Sequence, residues 1–269
     1  MERLASQAAP AKAPLSRSIS PSENDVAIVR PAIFSKFPDI VCGMSMRYGG
    51  RSPKSYGMNT SFDVGDNPGN VEENRIAFLR QLGISPDQLA IPRQRHTATI
   101  KKITESGTYE ECDALMTDIR DVFLSITVAD CAPILLFDAS KRVLASVHAG
   151  WRGTEKQILL KTILAMQQEF RSVPGDVYAF IGPSAGVCCY EVGEEVAEKF
   201  DSQFVVQRNG KLYVDIKKAN EAQLQRAGVP GFNIETHNDC TICKKESYHS
   251  YRRDRERSGR MLAVIGLNQ

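Results

Sequence analysis

The segment that decides the fold is Val128-Ala-Asp-Cys-Ala-Pro-Ile-Leu-Leu-Phe137, which a polar turn at 138–142 joins to Val143-Leu-Ala-Ser-Val-His-Ala-Gly-Trp-Arg-Gly-Thr154. Each half contains an apolar run of strand length, so the segment predicts two neighbouring strands around a turn. Cys131 precedes the first strand core and His148 follows the second, 17 residues later. Antiparallel pairing would therefore bring these two side chains to the same end of a sheet.

The stretch 150–153 follows these strands and opens a predicted helix, whose unpaired backbone N–H groups favour an anion. Cysteine and histidine are natural zinc ligands, and a catalytic zinc takes three protein ligands and leaves a fourth position for water or substrate. His96, at the start of an apparent strand, is the best candidate for the third ligand beside Cys131 and His148. Spacing alone also allows hydrogen-bonded structural histidines and a cysteine that packs as a small hydrophobic residue.

Outward from this segment, helix-like and strand-like stretches alternate, which indicates a mixed α and β class. The predicted helices run from the capping pair Asn70 and Glu73 to Gly83, from the capping pair Thr154 and Gln157 through Met166, and from Asp215 to Gly228. The predicted strands are Val122–Val128, Ile134–Phe137, Val143–Val147, Val177–Ile181 and Leu262–Leu267.

The composition is that of a globular protein, with 42% hydrophobic and 25% charged residues among 269. A formal net charge of +2 gives no reason to expect binding to nucleic acid or an anionic membrane. Residues 1–22, rich in Ala, Ser and Pro, are predicted to be a flexible tail. No linker divides the rest, so we expect one continuous domain over residues 23–269.

Seven cysteines at irregular spacing indicate free thiols in a reducing, cytoplasmic compartment. No apolar run approaches the roughly 20 residues of a membrane span. Cys240 and Cys243 form a CxxC pair, which suggests either a redox pair or half of a zinc site. Because the chain has no second CxxC, we expect structural or incidental thiols there. The arginine-rich stretch 252–260 predicts a surface turn, with an anion site as the alternative.

Several ordered motifs resemble the YfiH-like family, also called the laccase-domain or multicopper polyphenol oxidase family. The resemblance covers about residues 40–267. Its motifs are Met46-Arg-Tyr-Gly-Gly50, Asn59, Gly65-Asp66 through Asn74-Arg75, Gln94-Arg-His96, Ala129-Asp-Cys131-Ala-Pro, Val147-His148-Ala-Gly-Trp-Arg-Gly153, Ile181-Gly-Pro183, Tyr190-Glu-Val192, Ser250-Tyr-Arg-Arg-Asp254 and Gly259-Arg260.

This resemblance implies an α+β fold with mixed β-sheets in a sandwich-like core flanked by helices. It also implies a zinc site at His96, Cys131 and His148, which would be the catalytic residues. The implied reaction is phosphorolysis of purine nucleosides such as adenosine, inosine, guanosine or methylthioadenosine, with adenosine deamination as a companion activity. The implied partners are therefore a small purine nucleoside and phosphate, while nothing in the sequence specifies an oligomeric state.

Three further residues are candidates for substrate binding. Arg47, beside the Gly49–Gly50 turn, and Arg260 carry guanidinium groups that could bind phosphate, and Asn59 belongs to the same N-terminal pattern. Surface or structural arginines are the alternative interpretation. Local departures from the family pattern at Arg95, Thr97 and His249 bear on substrate preference rather than on the metal.

Three other functions stay open. A copper-dependent polyphenol oxidase could place one copper at His96, Cys131 and His148, but four histidines in the whole chain are too few for a full multicopper set. A thiol hydrolase would use Cys131 as nucleophile and His148 as base. A nucleotide-binding module without catalysis would bind its ligand without needing Cys131. The zinc nucleobase deaminase signature, H-x-E with P-C-x-x-C, is absent from the sequence.

Overall fold

Residues 26–269 are the part of the chain that the computed structural model describes, and the predicted tail at 1–22 lies outside it. Within these residues the strands are β1 Ile28–Val29, β2 Ile40–Ser45, β3 Leu89–Pro92, β4 Ile100–Lys102, β5 Gly107–Tyr109, β6 Ala114–Thr117, β7 Phe123–Val128, β8 Ala132–Asp138, β9 Val143–Ala149, β10 Val177–Ile181, β11 Glu191–Val192, β12 Val205–Arg208, β13 Lys211–Val214, β14 Ile234–Thr236 and β15 Met261–Leu267. The α-helices are α1 Pro68–Leu82, α2 Trp151–Glu155, α3 Ile158–Phe170, α4 Glu194–Ala197, α5 Ile216–Arg226 and α6 Tyr251–Asp254. Within residues 26–269, no helix has the length and apolar character needed to cross a membrane.

The strands form three sheets within this part of the chain. One six-stranded sheet has the order β1-β2-β15-β7-β3-β5, and the second has the order β14-β10-β8-β9-β6-β4. A small third sheet has the order β11-β13-β12. Both large sheets are mixed, because β3 runs parallel to β5 and β7, and β14 runs parallel to β10, while most other pairs are antiparallel. The predicted antiparallel pairing of β8 with β9 is confirmed.

Successive side chains of a strand point to opposite faces of its sheet, and this alternation explains how the sheets and helices pack in layers. On β8, Leu135 and Phe137 join a cluster that also contains Leu124 and Ile126 of β7, so the two large sheets pack face to face. The intervening residues of β8 point to the opposite face, where they pack under α3 and α5. The outer face of the first sheet packs under α1, where Phe78 of that helix belongs to a third apolar cluster. The predicted α+β sandwich flanked by helices is therefore confirmed.

Helix α1 begins three residues earlier than the sequence predicts. Pro68 occupies the first helical position and the Asn67 side chain accepts the Gly69 N–H at 2.8 Å, so Asn67 rather than Asn70 is the N-cap. The predicted end is right, because Gly83 closes the helix with a left-handed φ of 71°.

The second predicted helix is in fact two. Its predicted cap is wrong, because the Thr154 hydroxyl accepts from Asn220 Nδ2 at 3.0 Å and Thr154 lies inside α2. The chain then breaks at Gln157, which has a φ of 60°, before α3 begins. The third predicted helix, α5, has Asp215 as its N-cap as expected, with the carboxylate accepting the Lys218 N–H at 3.0 Å.

Candidate metal centre

Pairing of β8 with β9 places the metal-ligand candidates at one sheet end. Pro133 lies opposite His148 in the antiparallel register, and Cys131 stands just before β8. His96 comes from the loop between β3 and β4, and its Nε2 lies 3.9 Å from the Cys131 sulfur. The ligand atoms of His96, Cys131 and His148 all lie within 4.8 Å of one another. The structure thus brings together the three residues that the sequence singled out.

Asp113 connects the two histidines, and sequence reasoning missed it. It lies just before β6, which pairs with β9. Its Oδ1 accepts from His148 Nδ1 at 2.8 Å and from the His96 N–H at 3.0 Å. Its Oδ2 accepts from the Arg95 N–H at 3.1 Å and from the Thr97 N–H and hydroxyl, both at 2.7 Å. One buried carboxylate therefore orients the His148 ring and shapes the loop that carries His96.

Charges in the centre favour a thiolate. Burial opposes ionisation of Cys131, but the charge of His148 and hydrogen bonds from both histidines outweigh it and lower the thiol pKa to about 6. Burial likewise opposes protonation of His148, but Cys131 and Asp113 raise the imidazole pKa to about 9. The thiolate is the form of cysteine that binds metals and acts as a nucleophile.

The side chains fit a metal ion of the zinc or copper type. Two imidazoles and one thiolate are a donor set that both metals accept. The bond from His148 Nδ1 to Asp113 directs Nε2 towards the centre, which is the usual arrangement for a metal-ligating histidine. Gly150 keeps the space open, because a Cβ there would lie 2.9 Å from the Cys131 sulfur and 3.2 Å from His96 Cδ2. His96 itself adopts a left-handed φ of 57°.

The two candidate arginines lie in different surroundings. Arg47 Nη1 donates to Asp254 Oδ2 at 3.0 Å and to the Lys245 carbonyl at 3.2 Å, so this guanidinium is held by the protein. Arg260 is mostly buried, and burial lowers its pKa, while the charges of Cys131 and Asp130 oppose that effect. Arg260 is thus within electrostatic reach of the metal centre.

Asn59 is fully buried and hydrogen-bonded within the protein. Its Nδ2 donates to the Ser61 carbonyl and to Asp66 Oδ2, both at 3.0 Å. Its Oδ1 accepts from the Ser61 N–H at 3.1 Å and from the Arg260 N–H at 2.9 Å. These contacts occupy the amide and make Asn59 a residue that positions the backbone of Arg260.

A depression of about 340 Å³ begins next to Gly150 in the chain, and none of His96, Cys131 and His148 lines it. Trp151, next to Gly150, lines it together with Tyr190 and Arg252. Burial, reinforced by the nearby charge of Cys131, raises the pKa of the Tyr190 hydroxyl to about 12. The Arg252 guanidinium lies 5.1 Å from the Tyr190 ring centroid. Trp151 and Tyr190 belong to the family motifs but are not predicted as site residues from the sequence, although aromatic residues beside a metal-ligand motif are a signal for a binding site.

Comparison with known proteins identifies the family. A sequence profile described as multi-copper polyphenol oxidoreductase laccase matches residues 41–268. The chain belongs to this laccase family.

Laccase-family relatives carry several names. The chain is 32% identical over 252 residues to a protein named purine nucleoside phosphorylase YlmD from Geobacillus stearothermophilus, covering 87% of this chain and 92% of the relative. It is 35% identical over 227 residues to a protein named adenosine deaminase RL5 from an unknown prokaryotic organism, covering 78% of this chain and 86% of the relative. The crystal structure of the same Geobacillus YlmD superposes with a TM-score of 0.84 at 31% identity, covering 89% and 94% of the two chains. A Bacillus licheniformis hypothetical protein, YfiH, gives a TM-score of 0.85 at 27% identity, covering 91% and 97%.

The laccase name does not match the histidines of this chain. Residues 26–269 include all four, and only His96 and His148 belong to the metal centre. His249 is buried, and within these residues neither of its ring nitrogens has a hydrogen-bond partner. His237 Nδ1 accepts the Asp239 N–H at 3.2 Å, far along the chain from the centre. Two histidines and one cysteine suffice for one metal ion but not for the additional copper cluster of a multicopper oxidase.

Proposed function

We propose that this protein is a zinc-dependent enzyme that cleaves purine nucleosides with phosphate and deaminates adenosine as a companion reaction. The observation that carries the proposal is the clustering of the His96, Cys131 and His148 ligand atoms within 4.8 Å of one another. Adenosine, inosine, guanosine and methylthioadenosine are the expected substrates of phosphorolysis. The names purine nucleoside phosphorylase and adenosine deaminase, given to relatives that cover most of the chain, support this assignment.

The depression offers contacts suited to a nucleoside. Trp151 and Tyr190 provide aromatic surface against which a purine can stack. Neither candidate arginine lines the depression. Arg260 is the better phosphate anchor of the two, because within residues 26–269 Nη1 is its only guanidinium nitrogen that donates to the protein, to the Ser258 and Gly259 carbonyls. Its Nε and Nη2 are left to bind an anion in forked geometry. Arg47, whose guanidinium is paired with Asp254, is the weaker candidate.

The reacting atoms place clear demands on the site. In phosphorolysis a phosphate oxygen bonds to the sugar C1′ as the bond from C1′ to the purine nitrogen breaks, and that nitrogen gains a proton. In deamination, water adds to C6 of adenine and ammonia leaves. When bound, zinc would supply a Lewis acid that lowers the pKa of water towards about 7. Asp113 contributes by holding the His148 ring in one orientation while Cys131 stays a thiolate.

The test separates the two reactions. Zinc-replete protein incubated with adenosine and phosphate is expected to release adenine and ribose 1-phosphate, together with inosine and ammonia, as resolved by liquid chromatography. Omitting phosphate should abolish adenine release and leave deamination. Cys131→Ser should lose both activities, whereas Asp118→Asn, at an exposed position, should keep both. Absence of turnover with all four nucleosides would overturn the proposal.

A thiol hydrolase is the second candidate, because Cys131, His148 and Asp113 follow one another as nucleophile, base and orienting acid. In that case, zinc-free protein would retain full activity towards an ester or amide, and iodoacetamide would inactivate it rapidly. Under the phosphorylase proposal, bound zinc protects Cys131 from iodoacetamide. The rate of alkylation with and without zinc therefore decides between the two functions.

A further inference from the structure

Four cysteines outside the metal centre meet in space, and we refer to them as the tetracysteine cluster: Cys188, Cys189, Cys240 and Cys243. Their sulfur atoms all lie within 4.8 Å of one another. The sequence contains only one CxxC pair, which by itself does not predict a four-thiolate site. The adjacent pair Cys188 and Cys189 supplies the other half.

The sheet topology explains why the two pairs meet. Strands β10 and β14 run parallel, with Ala179 opposite Ile234 and Ile181 opposite Thr236. Their carboxyl ends therefore lie at the same sheet edge, and both cysteine pairs belong to the loops that leave these ends. An isolated parallel bridge between Ser184 and Cys240 continues the pairing into the loops.

The sulfur positions fit a tetrahedral metal site. The Cys189 and Cys243 sulfurs are 3.1 Å apart, and those of Cys188 and Cys243 are 3.4 Å apart. Zinc–sulfur bonds of about 2.3 Å in a tetrahedron place sulfurs about 3.8 Å apart, within the span of this cluster. A disulfide would need about 2.05 Å, and all seven cysteines are free thiols.

The backbone around the cluster is shaped to hold sulfur. The Gly186 N–H donates to the Cys240 sulfur at 3.2 Å, a bond that stabilises a thiolate. A Cβ on Gly186 would lie 3.3 Å from the Cys188 sulfur and 3.1 Å from Cys240 Cβ, so a glycine lets this loop approach closely. The Lys217 ammonium donates to the His237 and Asp239 carbonyls, both at 2.7 Å, and fixes the second loop. Lys217 also places a positive charge near Cys240 and Cys188.

We propose that the tetracysteine cluster binds a second zinc ion through four thiolates, separate from the centre at His96, Cys131 and His148. Four thiolates in a closed set leave no position for substrate, which is typical of a structural zinc site. The ion would join the loop that carries Tyr190 to the loop that carries Thr241. Since the Thr241 hydroxyl donates to Asp130 Oδ1 at 2.7 Å, the bound ion would brace the surroundings of the first centre.

Metal content of the purified full chain tests the proposal. Elemental analysis of the wild-type protein, purified under reducing conditions, should give two zinc ions per chain. Cys188→Ser should retain one, Cys131→Ser should retain one, and the double variant should retain none. Cys188 is exposed, so its substitution is expected to preserve the fold, which circular dichroism checks. Cys42→Ser, at a thiol of β2 outside both groups, is the matched control and should keep two ions.

A second measurement does not depend on how a cluster variant folds. Cobalt(II) replaces zinc in Cys131→Ser, where the tetracysteine cluster would be the thiolate site that remains. Intense thiolate-to-cobalt charge-transfer absorption, with the visible bands of tetrahedral cobalt, is expected. Three results would each overturn the proposal. The first is a wild-type chain with one zinc ion that Cys131→Ser removes entirely. The others are absence of these cobalt bands and a Cys189–Cys243 disulfide in the freshly isolated protein.

Discussion

Asp113 holds both histidines of the metal centre, so its charge is expected to matter for metal binding. Asp113→Asn would turn an NH₂ group towards N–H donors that now bond a carboxylate, for example His148 Nδ1 at 2.8 Å. We expect zinc affinity to fall about 10- to 100-fold, as for other residues that orient metal ligands. The free energy of unfolding should fall by about 2 kcal/mol. Competition with a chromophoric chelator and urea unfolding measure the two effects.

Acid titration provides a second readout of Asp113. Burial opposes its ionisation, but hydrogen bonds from His148 and Thr97 hold the pKa of this carboxyl well below its usual range. Its contribution to stability is therefore present above the unfolded pKa, about 4, and is lost as pH falls towards the lower folded pKa. Asp113→Asn should lose less stability on acidification than wild type.

Asp118→Asn, exposed on the surface, is the control for both measurements. Unchanged zinc affinity in Asp113→Asn would contradict the role given to Asp113 in metal binding.

His249 is the opposite case, a titratable ring with no partner. Its two ring nitrogens are buried and unbonded within residues 26–269, and burial together with the charge of Arg47 lowers its pKa to about 3. Between about pH 6.5 and 3, His249 is therefore protonated in the unfolded chain but neutral in the folded protein. The free energy of unfolding falls as pH drops through this range.

His249→Phe should remove that pH dependence. We expect stability in the variant to be less dependent on pH by up to about 1.4 kcal/mol per pH unit inside the window. Removing two unsatisfied buried nitrogens should also contribute about 1 to 3 kcal/mol at neutral pH, unless the ring crowds Gly259. Urea unfolding from pH 7 to 4 measures the difference in slope, which crowding does not change. Equal slopes in variant and wild type would refute the role given to His249.

At the scale of elements, alanine substitutions at two asparagines test which of them caps helix α1. Asn67→Ala removes the side chain that accepts the Gly69 N–H and should lower the free energy of unfolding by about 1 kcal/mol. Asn70→Ala changes the residue that the sequence alone predicts as the cap, although it lies inside the helix. Thermal and urea unfolding of the two variants provide the comparison. A larger loss in Asn70→Ala than in Asn67→Ala would restore the sequence-based prediction.

The local sequence pattern was sufficient to predict elements that depend only on residues within one segment. Strands β8 and β9, their antiparallel pairing and the approach of Cys131 to His148 follow from two apolar runs around one turn. Helix starts were less predictable, because Asn67 and Asn70 both have capping side chains and Pro68 decides between them. The Thr154 hydroxyl, predicted as a cap, instead accepts from Asn220 of another helix, a contact that no local pattern contains.

At the scale of the whole molecule, both ligand groups need pairings between distant segments. His96 joined the predicted metal centre because it lies at an element end, but Asp113 reaches it only through the pairing of β6 with β9. The tetracysteine cluster depends in the same way on β10 lying parallel to β14. A search for two CxxC pairs misses such a cluster, because its second pair, Cys188 and Cys189, is adjacent in sequence and comes close only through the topology of the sheet.

Asp130 connects four parts of the chain. These contacts indicate a structural role for its carboxylate rather than a catalytic one. Its Oδ1 accepts from the Thr241 hydroxyl at 2.7 Å, and its Oδ2 accepts from the Ser250 hydroxyl at 3.0 Å and the Arg252 N–H at 2.7 Å. Its backbone carbonyl also accepts the Ala185 N–H at 2.8 Å. The carboxylate is buried and fully engaged, so it is expected to hold loops together rather than to carry a proton to substrate.

Asp130→Asn distinguishes these roles. One oxygen becomes an NH₂ group facing donors, so we expect the free energy of unfolding to fall by about 2 to 3 kcal/mol while the metal content of the protein stays unchanged. The KM for nucleoside should rise, because Tyr190 and Arg252 in the linked loops lose their fixed positions. A proton carrier would behave differently: kcat would collapse, one limb of its pH profile would disappear, and stability would stay unchanged. Urea unfolding and kcat measured across pH therefore assign the residue, with Asp118→Asn as the control for loss of an exposed charge.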